Sequence, residues 1–325
     1  MKNGHLDYTK YMQSIEISVI IPIYNAEKYL VECLDSVFNQ SFTLGYEVIA
    51  SVNGSTDNSI NILKEYETKY PNLVIINDPK NKGAAGARMD GVKIARGKYV
   101  AFIDSDDRFH RDFLATMYAE IVKGYDIVGC NFFYQYGKVT KRSLLSGNYT
   151  LDSLGAAHSL LRDYTMRGYM WNKMYRKELF LEHKVYYPKD PRALFEDTTS
   201  LFSIYLNIKS YKAIRKPLYY YRKNKSSVTS EVNPERFNKH LCAFAFIRYL
   251  IDQQKDERYY KAFKSTFIRS RASLYFDAHT ARKAYHHSAF KHLRMFKKEL
   301  NMLKKTKPLP IEGEVWEQYI KDCLK

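Results

Sequence analysis

The stretch of sequence that decides the fold is Tyr99-Val100-Ala101-Phe102-Ile103-Asp104-Ser105-Asp106-Asp107. Its first five residues are β-prone and largely apolar, and a short apolar run that stops at a polar segment is typical of a buried strand in a parallel sheet. Ligands of open α/β sheets bind beyond the carboxyl ends of the strands, so the three carboxylates stand where a ligand would be. They either bind a divalent cation, Mg²⁺ or Mn²⁺, or form a solvated turn in which Asp106 or Asp107 caps the next helix.

The residues on both sides of this stretch alternate between strand and helix patterns. The predicted strands are 17–23, 47–52, 73–76, 99–103 and 126–130, and the predicted helices are 26–39, 57–69, 83–95 and 110–122, the second of them capped by Thr56 or Asp57. This alternation predicts an α/β fold with a doubly wound, mostly parallel sheet flanked by helices.

After residue 131 the alternation breaks. The patterns there predict a hairpin or irregular segment at 131–147, helices at 151–163, 177–182 and 195–207, and a strand within 211–222. Pro217 favours an edge or a bend in that strand. We therefore divide the chain into an N-terminal extension at 1–15, a main domain at 16–232 and a helical, basic C-terminal region at 233–325.

Composition limits the class of protein. The chain has 325 residues, 45% of them hydrophobic, which suffices for one large domain with a core. Its four cysteines lie far apart, which argues against a zinc site and favours a reducing, cytoplasmic setting. We expect no signal peptide in residues 1–15 and no membrane span, since the apolar run at 17–23 is too short to cross a bilayer.

The net charge of +17 predicts an anionic partner. Residues 236–325 carry 20 Lys and Arg against 9 Asp and Glu, so 11 of the 17 excess charges lie in the C-terminal region. Three interpretations stay open for it: an anionic membrane surface, nucleic acid, or self-association into a homo-oligomer.

Several motifs in a fixed order carry a resemblance to a known family. They are Ser18-Val19-Ile20-Ile21-Pro22-Ile23-Tyr24-Asn25-Ala26-Glu27, Ser36-Val37-Phe38-Asn39-Gln40-Ser41, Gly54-Ser55-Thr56-Asp57, Asn81-Lys82-Gly83-Ala84-Ala85-Gly86-Ala87-Arg88, Asp104-Ser105-Asp106-Asp107, Trp171-Asn172-Lys173-Met174-Tyr175, Phe195-Glu196-Asp197 and Tyr219-Tyr220-Tyr221-Arg222. In order and spacing they resemble family 2 glycosyltransferases of the GT-A fold, and the later motifs resemble bacterial members that build surface polysaccharides. The resemblance covers residues 15–230 and leaves the last third of the chain unmatched.

The resemblance implies a nucleotide-sugar donor site. The donor-binding residues that it assigns are Pro22, Tyr24, Asn25, Glu27, Asn53, Lys82, Arg88, Asp104, Ser105 and Arg222. A tyrosine at position 24 can stack on uracil, although it is also compatible with a core aromatic. Arg88 contacts the diphosphate or pairs with Asp104. Arg222 and the basic, serine-containing residues after it suit either a lid over the diphosphate or a solvated loop.

Two positions depart from the family pattern. Val52-Asn53 stands where the family usually has two aspartates, and Met89 replaces an asparagine. The Asn53 amide can still accept the uracil N3–H, or can flip and donate to cytosine, so UDP is the expected nucleotide and CDP the alternative.

The resemblance also implies the chemistry. It makes Asp106 the ligand of Mn²⁺ or Mg²⁺, bridging to the donor diphosphate, and it makes Asp197 the base that deprotonates the acceptor hydroxyl. Trp171 and Glu196 are assigned to the acceptor, with a core position for Trp171 and a helix-start role for the two acids as alternatives.

These assignments predict a metal-dependent, inverting glycosyltransferase that adds one sugar per encounter, since the QxxRW motif of processive synthases is missing from the sequence. Its expected partners are a nucleotide-sugar donor and a glycan or lipid-linked acceptor, at the inner face of the cell membrane. Alternatives are a catalytically weak scaffold with the same fold and a nucleic-acid-binding protein. No nucleic-acid-binding motif is seen in the sequence.

Overall fold

A computed structural model describes residues 14–143, 147–162, 168–182, 185, 196–223 and, in the C-terminal region, 243, 246–247, 250–254, 256–259 and 263. Most of the predicted C-terminal region, the N-terminal extension up to residue 13, and Phe195 therefore lie outside the described residues.

The first half of the chain forms the predicted strand–helix alternation. Its elements are β1 Ile15–Ile23, α1 Glu27–Phe38, β2 Gly45–Asn53, α2 Ser59–Glu67, β3 Leu73–Asp78, α3 Gly83–Ile94, β4 Tyr99–Phe102, β5 Arg108–Phe109, α4 Phe113–Ile121 and β6 Ile127–Tyr136. Helix α1 forms because Leu30, Cys33, Leu34 and Val37 recur at helical spacing and bury one face. Each predicted strand and helix up to residue 130 is present, and the two-residue strand β5 is an addition.

The second half is more irregular, as the broken alternation predicts. Its elements are β7 Val139–Arg142, β8 Tyr149–Leu151, α5 Ser153–Arg162, β9 Lys173–Arg176, α6 Glu178–Leu181, α7 Glu196–Tyr205 and β10 Tyr211–Arg222. Strands β6 and β7 form the predicted hairpin. In β10 the register shifts on both sides of Pro217, which agrees with the bend expected there.

One sheet joins the two halves, in the order β3-β2-β1-β4-β9-β6-β10-β5. Strands β1 to β4 pair in parallel, and so do β6 and β10. Strand β9 is antiparallel to both of its neighbours, β4 and β6. The predicted mostly parallel α/β sheet is thus confirmed, with one antiparallel strand at its centre that the sequence patterns did not indicate.

Buried side chains form two hydrophobic cores, one on each face of the sheet, and successive residues of β1 alternate between them. Val19 and Ile21 belong to one core and Ile20 to the other, because successive side chains of a strand point to opposite faces of the sheet. Burial of such side chains is worth about 1.5–3 kcal/mol each. Ile247 and Phe263 of the C-terminal region belong to the same core as Ile20.

The strand β4 begins with a close backbone approach at Gly97. A Cβ atom at this position would lie 2.6 Å from the backbone nitrogen of Ser18. The Gly97 N–H donates to Ser18 Oγ, which in turn donates to the buried Glu47 carboxylate. Glycine is therefore required where β4 enters the sheet beside β1.

Among the described residues, no helix is both long and apolar enough to cross a membrane.

Candidate active site

The predicted donor residues follow the carboxyl ends of three neighbouring parallel strands. Strand β4 lies beside β1, and β1 beside β2, so the segments after Ile23, Asn53 and Phe102 open at one edge of the sheet. Pro22 is buried near the end of β1, whereas Tyr24 is 53% exposed directly after it. The Tyr24 ring is therefore available to a ligand, and the alternative of a core aromatic is excluded.

The segments after β1 and β2 are bound to each other by backbone donors and side-chain acceptors. Asn25 Oδ1 accepts the Thr56 N–H at 2.8 Å, and Glu27 Oε2 accepts the Asn58 N–H at 2.9 Å. In the opposite direction, the two carboxylate oxygens of Asp57 accept hydrogen bonds from the N–H groups of Glu27 and Ser59. Asn25 has a φ of 48°, in the left-handed region that asparagine tolerates. Asn25 and Glu27 thus shape the site, whether or not they also touch the donor.

Asn53 is held by the segment that leads into α3. Its Oδ1 accepts the Lys82 N–H at 2.8 Å, and its Nδ2 donates to Asn81 Oδ1 and to the Gly83 carbonyl, each at 3.1 Å. If the amide were flipped, its NH₂ would face the Lys82 N–H, and its oxygen would face two acceptors, Asn81 Oδ1 and the Gly83 carbonyl. The orientation is therefore fixed, and the flip that would favour cytosine costs three hydrogen bonds.

Replacing Asn53 by Asp should lower the free energy of unfolding by about 1–3 kcal/mol, because a carboxylate would face two oxygen acceptors in a buried position. Denaturant titration measures this. Asn77→Asp, at an exposed position of β3, is the control and should change stability by less than about 0.5 kcal/mol. Equal losses in the two variants would contradict the account of Asn53.

The Lys82 side chain forms ion pairs rather than pointing freely into the site. Its Nζ pairs with Asp78 and, at 2.8 Å, with Asp90. The side chain remains 45% exposed, so contact with a donor phosphate would need an exchange of partners.

Asp107 has a different role from the helix cap that the sequence suggested. It is buried, its Oδ2 accepts the Tyr219 hydroxyl and its Oδ1 accepts the Arg222 N–H, both at 2.7 Å. Helix α4 begins later, at Phe113, with Asp112 at its N-cap position. Burial and the neighbouring charge of Asp106 raise the pKa of Asp107. The capping prediction is thus wrong for Asp107, which joins the acidic segment to β10.

Arg88 is the centre of the site. Its side chain is 4% exposed and donates to Asp104 Oδ1 at 2.8 Å and to Asp197 Oδ1 at 2.7 Å. Burial alone would lower the pKa of Arg88, but the carboxylates of Asp197 and Asp104 raise it. The guanidinium therefore stays charged and ties the end of β4 to the start of α7. Among the described residues, the buried Nε of Arg88 has no hydrogen-bond partner.

Asp197 and Glu196 begin helix α7, where acids are favourable with the helix dipole. Asp197 Oδ2 also accepts the Met170 N–H, at 3.2 Å. Burial raises the pKa of Asp197, while the positive charge of Arg88 opposes that rise. Burial, together with the charge of Asp197, raises the pKa of Glu196 to about 7. The two neighbouring acids thus have different environments, and only Asp197 is bonded to Arg88.

Lys173 interacts electrostatically with Asp197, and although it stands within the Trp-Asn-Lys-Met-Tyr motif, the sequence assigned it no role. It is fully buried, and its Nζ donates to the Tyr169 carbonyl and, at 2.7 Å, to Asn172 Oδ1. Burial lowers the pKa of Lys173 to about 7, although the charge of Asp197 acts in the opposite direction. The lysine therefore fixes the turn that presents the Met170 N–H to Asp197.

Trp171 is 2% exposed, so its own surface is not available as an acceptor platform. The tryptophan ring stacks on Tyr169 at 4.7 Å, on Tyr221 at 5.3 Å and on Tyr219 at 4.2 Å, measured between ring centroids. The core alternative describes its position. Of the three tyrosine rings stacked on it, Tyr169 and Tyr221 are partly exposed, whereas Tyr219 is buried.

Arg222 ends β10 beside the acidic segment. Its Nε donates to the Asp106 carbonyl at 2.7 Å, its guanidinium pairs with Glu32, and it lies 4.5 Å from the centre of the Tyr29 ring. Ser105 and Asp106 are half-buried in the same segment. Residues 225–227 of the predicted lid lie outside the described residues. Sequence reasoning missed Tyr29, Glu32 and Tyr219, although Tyr219 stands within the Tyr-Tyr-Tyr-Arg motif that it had singled out.

Comparison with solved structures defines the fold class of the protein. The structure resembles the crystal structure of Staphylococcus aureus TarS 1–349 in complex with UDP, with a TM-score of 0.64 and 25% identity over 79% of this chain and 72% of that one. The fold is therefore the GT-A fold of glycosyltransferases.

The family follows from the sequence. The model of glycosyl transferase family 2 matches residues 18–184, and the chain belongs to that family. It is 29% identical over 267 residues to EpsH, named as a glycosyltransferase, of Bacillus subtilis, covering 81% of this chain and 77% of that protein. It is also 29% identical over 242 residues to the poly(ribitol-phosphate) beta-glucosyltransferase of Bacillus spizizenii, covering 69% of this chain and 35% of that protein. The chain thus matches about a third of that longer relative.

Proposed function

We propose that this glycosyltransferase moves one sugar, with inversion, from a UDP-linked donor to a hydroxyl group of a glycan or lipid-linked acceptor during the assembly of a bacterial surface polysaccharide. The UDP in the TarS structure and the glucosyltransferase named among the relatives support the donor and the setting.

The observation that carries the proposal is the bridge from Asp104 through Arg88 to Asp197. It brings the candidate base, which lies 109 residues from Arg88 in the sequence, to the edge of the sheet where the donor residues lie. An inverting transfer needs a base on one side of the sugar and a stabilised leaving group on the other. The bridge supports both needs at one place.

The chemistry follows from the residues present. Asp197, paired with Arg88, takes the proton of the acceptor hydroxyl as the hydroxyl oxygen forms a bond to the anomeric carbon and the bond from that carbon to the diphosphate breaks. Arg222, fixed on the Asp106 carbonyl and over Tyr29, supplies a cation beside the departing diphosphate. The unpartnered Nε of Arg88 supports a further contact with the donor.

A divalent cation fits the acidic segment if the donor supplies most of its ligands. The described residues contain no group of three or more acids, histidines or cysteines able to hold a metal by themselves, and Asp104 and Asp107 are engaged by Arg88 and Tyr219. Mg²⁺ and Mn²⁺ are commonly held by one or two carboxylates plus substrate phosphates. Asp106 would hold the cation, which would neutralise charge on the leaving diphosphate.

Asp106→Asn should remove the effect of Mn²⁺ on UDP binding, because it takes away the carboxylate that holds the cation. Calorimetry of UDP with and without Mn²⁺, in the native protein and the variant, measures the loss. Glu120→Gln, which alters a carboxylate paired with Lys123 near the end of α4, is the control. Equal UDP affinity with and without Mn²⁺ in the native protein would contradict the metal role.

The experiment that tests the proposed function is a screen of nucleotide sugars for donor hydrolysis and for transfer to hydroxyl acceptors. We expect UDP-sugars to be used in preference to CDP- and GDP-sugars. Proton NMR of the product should show an anomeric configuration opposite to that of the donor. Retention of configuration, or no turnover with any donor, would overturn the proposal.

The charge distribution supports work beside an anionic membrane at the inner face of the cell, where a lipid-linked acceptor would be found. We expect the full chain to sediment with phosphatidylglycerol vesicles at low salt and to be released as salt rises, since each lysine or arginine near such a surface contributes about 1 kcal/mol. Neutral phosphatidylcholine vesicles are the control. If the protein ignores anionic vesicles at low salt, self-association becomes the better account of the C-terminal region.

A further inference from the structure

A row of partly exposed tyrosines leads away from the catalytic carboxylates. It consists of Tyr169, Tyr221, Tyr134 and Tyr136, which we call the aromatic platform. Tyr221 lies opposite Tyr134 in the register of β10 and β6, and their ring centres are 6.2 Å apart. Tyr136 follows two residues later on the same face of β6, 6.3 Å from Tyr134 and 51% exposed.

The platform rests on a rigid floor that also holds the candidate base. Tyr169 and Tyr221 both stack on the buried Trp171. Tyr169 also directly precedes Met170, whose N–H donates to Asp197. The Tyr169 carbonyl accepts a hydrogen bond from Lys173 Nζ. The inner end of the platform is therefore fixed beside the groups that we assign to the transfer.

The charge along the platform is positive. Lys223 Nζ lies 4.7 Å from the centre of the Tyr221 ring and 5.5 Å from that of Tyr134. Beyond Tyr136, the turn before the exposed strand β7 adds Lys138, and β7 adds Lys141, which lies opposite Tyr134 and so on the same face of the sheet. The sequence has no acidic residue from 127 to 151 or from 209 to 223.

Flat rings and cations together select one kind of chain. The face of a tyrosine ring packs against the C–H groups of a sugar or polyol, while its hydroxyl stays in water. A cation above two rings attracts an anionic group that lies between successive units. A neutral glycan would use the rings alone, and a small anion would use the lysine alone.

We propose that the aromatic platform binds the acceptor as an extended, hydroxyl-rich chain that carries anionic groups at intervals, and that it delivers the end of this chain to Asp197. The proposal rests on the proposed function and names the acceptor class for the same site. The anionic groups are phosphates that link the units or carboxylates that the units carry.

The test measures binding of acceptor-like chains to the full-length protein without a donor, by calorimetry at low and at moderate salt. The probes are poly(ribitol phosphate), hyaluronan oligosaccharides as a carboxylate chain, and dextran as a neutral chain, matched in length. We expect at least one anionic chain to bind more tightly than dextran and to weaken as salt rises. The anionic probe that binds more tightly identifies the source of the charge.

Two variants and two matched controls locate the binding. Lys223→Gln should weaken the anionic chain about fivefold, the equivalent of about 1 kcal/mol for one lysine near an anionic surface. Tyr134→Leu, which keeps an apolar side chain but removes the ring face, should weaken it about three- to tenfold. The controls are Lys212→Gln and Tyr125→Leu. Lys212 lies 6.0 Å from the Tyr125 ring, at the opposite ends of the same two strands, so neither control should change affinity by more than about twofold.

Three outcomes would overturn the platform: no binding of any of the three chains, binding of dextran as tight as that of the anionic chains, or losses in the controls equal to those in Lys223→Gln and Tyr134→Leu. UDP affinity, measured on the same samples, separates this failure from a failure of the proposed function. A protein that binds UDP but none of the chains lacks the platform, whereas one that does not bind UDP lacks the donor site.

Discussion

Asp197→Asn should lower kcat for sugar transfer by about 10²–10⁴-fold, the usual contribution of general base catalysis. The amide is nearly isosteric, and its oxygen can still accept a hydrogen bond from Arg88, which keeps its second partner, Asp104, while the longer bond from the Met170 N–H is lost. It cannot take up the proton of the acceptor. The dissociation constant of the donor should therefore change little, and a comparison of single-turnover transfer with UDP-sugar binding separates the two quantities.

Glu196→Gln is the matched control, because Glu196 is the neighbouring acid at the start of the same helix. Its pKa of about 7 makes a distinct signature available. If Glu196 were the base, the rate would rise as the pH rises through about 7, since the carboxylate form would then appear, and Glu196→Gln would abolish transfer. If Asp197 is the base, Glu196→Gln retains most of the transfer. Transfer at the native rate by Asp197→Asn would require another base.

Arg88→Met should lower the free energy of unfolding by about 3–5 kcal/mol, the range for removing one partner from a buried ion pair. Methionine fills much of the same volume but leaves Asp104 and Asp197 close together without their shared cation. Denaturant unfolding measures the loss. Arg176→Met is the control, because Arg176 is 43% exposed and pairs with Asp126 at 3.4 Å, so its removal should cost less than about 1 kcal/mol.

A double variant tests whether the bridge itself causes the loss. The double variant Arg88→Met with Asp197→Asn has only one of the two carboxylates that Arg88→Met leaves without their cation. Its loss of unfolding free energy should therefore be smaller than the sum of the losses in the two single variants. Strict additivity of the two losses would mean that Arg88 stabilises the fold by packing alone. The donor affinity of Arg88→Met, measured where the variant is still folded, then reports on its contact with the nucleotide sugar.

The parallel part of the fold was predictable from the sequence because its strands are short apolar runs between polar turns. Strand β4 is buried throughout and ends directly before Ile103 and the acids. Strand β9 was not predictable, because Lys173-Met174-Tyr175-Arg176 looks like a polar segment. Its buried lysine donates hydrogen bonds to the Tyr169 carbonyl and to the side-chain oxygen of Asn172, contacts that the sequence pattern does not reveal.

The site was predictable in part. The motifs identified the acids, Arg88 and Asp197, but no local pattern shows that Arg88 bonds both Asp104 and Asp197. That contact depends on how α7 packs against the sheet, across 109 residues of sequence. The same holds for Asp107, whose partners on β10 lie 112 and 115 residues later. Such long-range pairs become visible only in three dimensions.

The position of β9 also has a consequence for how the chain is made. Strand β4 has β1 on one side and β9 on the other, and β6 lies between β9 and β10. While a ribosome is still adding residues 127–172, the outer backbone groups of β4 lack their partner, and an open strand edge invites pairing with other chains. The edge of β4 is covered only when residues 173–176 have emerged and formed β9, and the sheet is complete only after residue 222. The finished sheet thus has no boundary between its two halves, because a strand from the second half lies directly against β4 of the first.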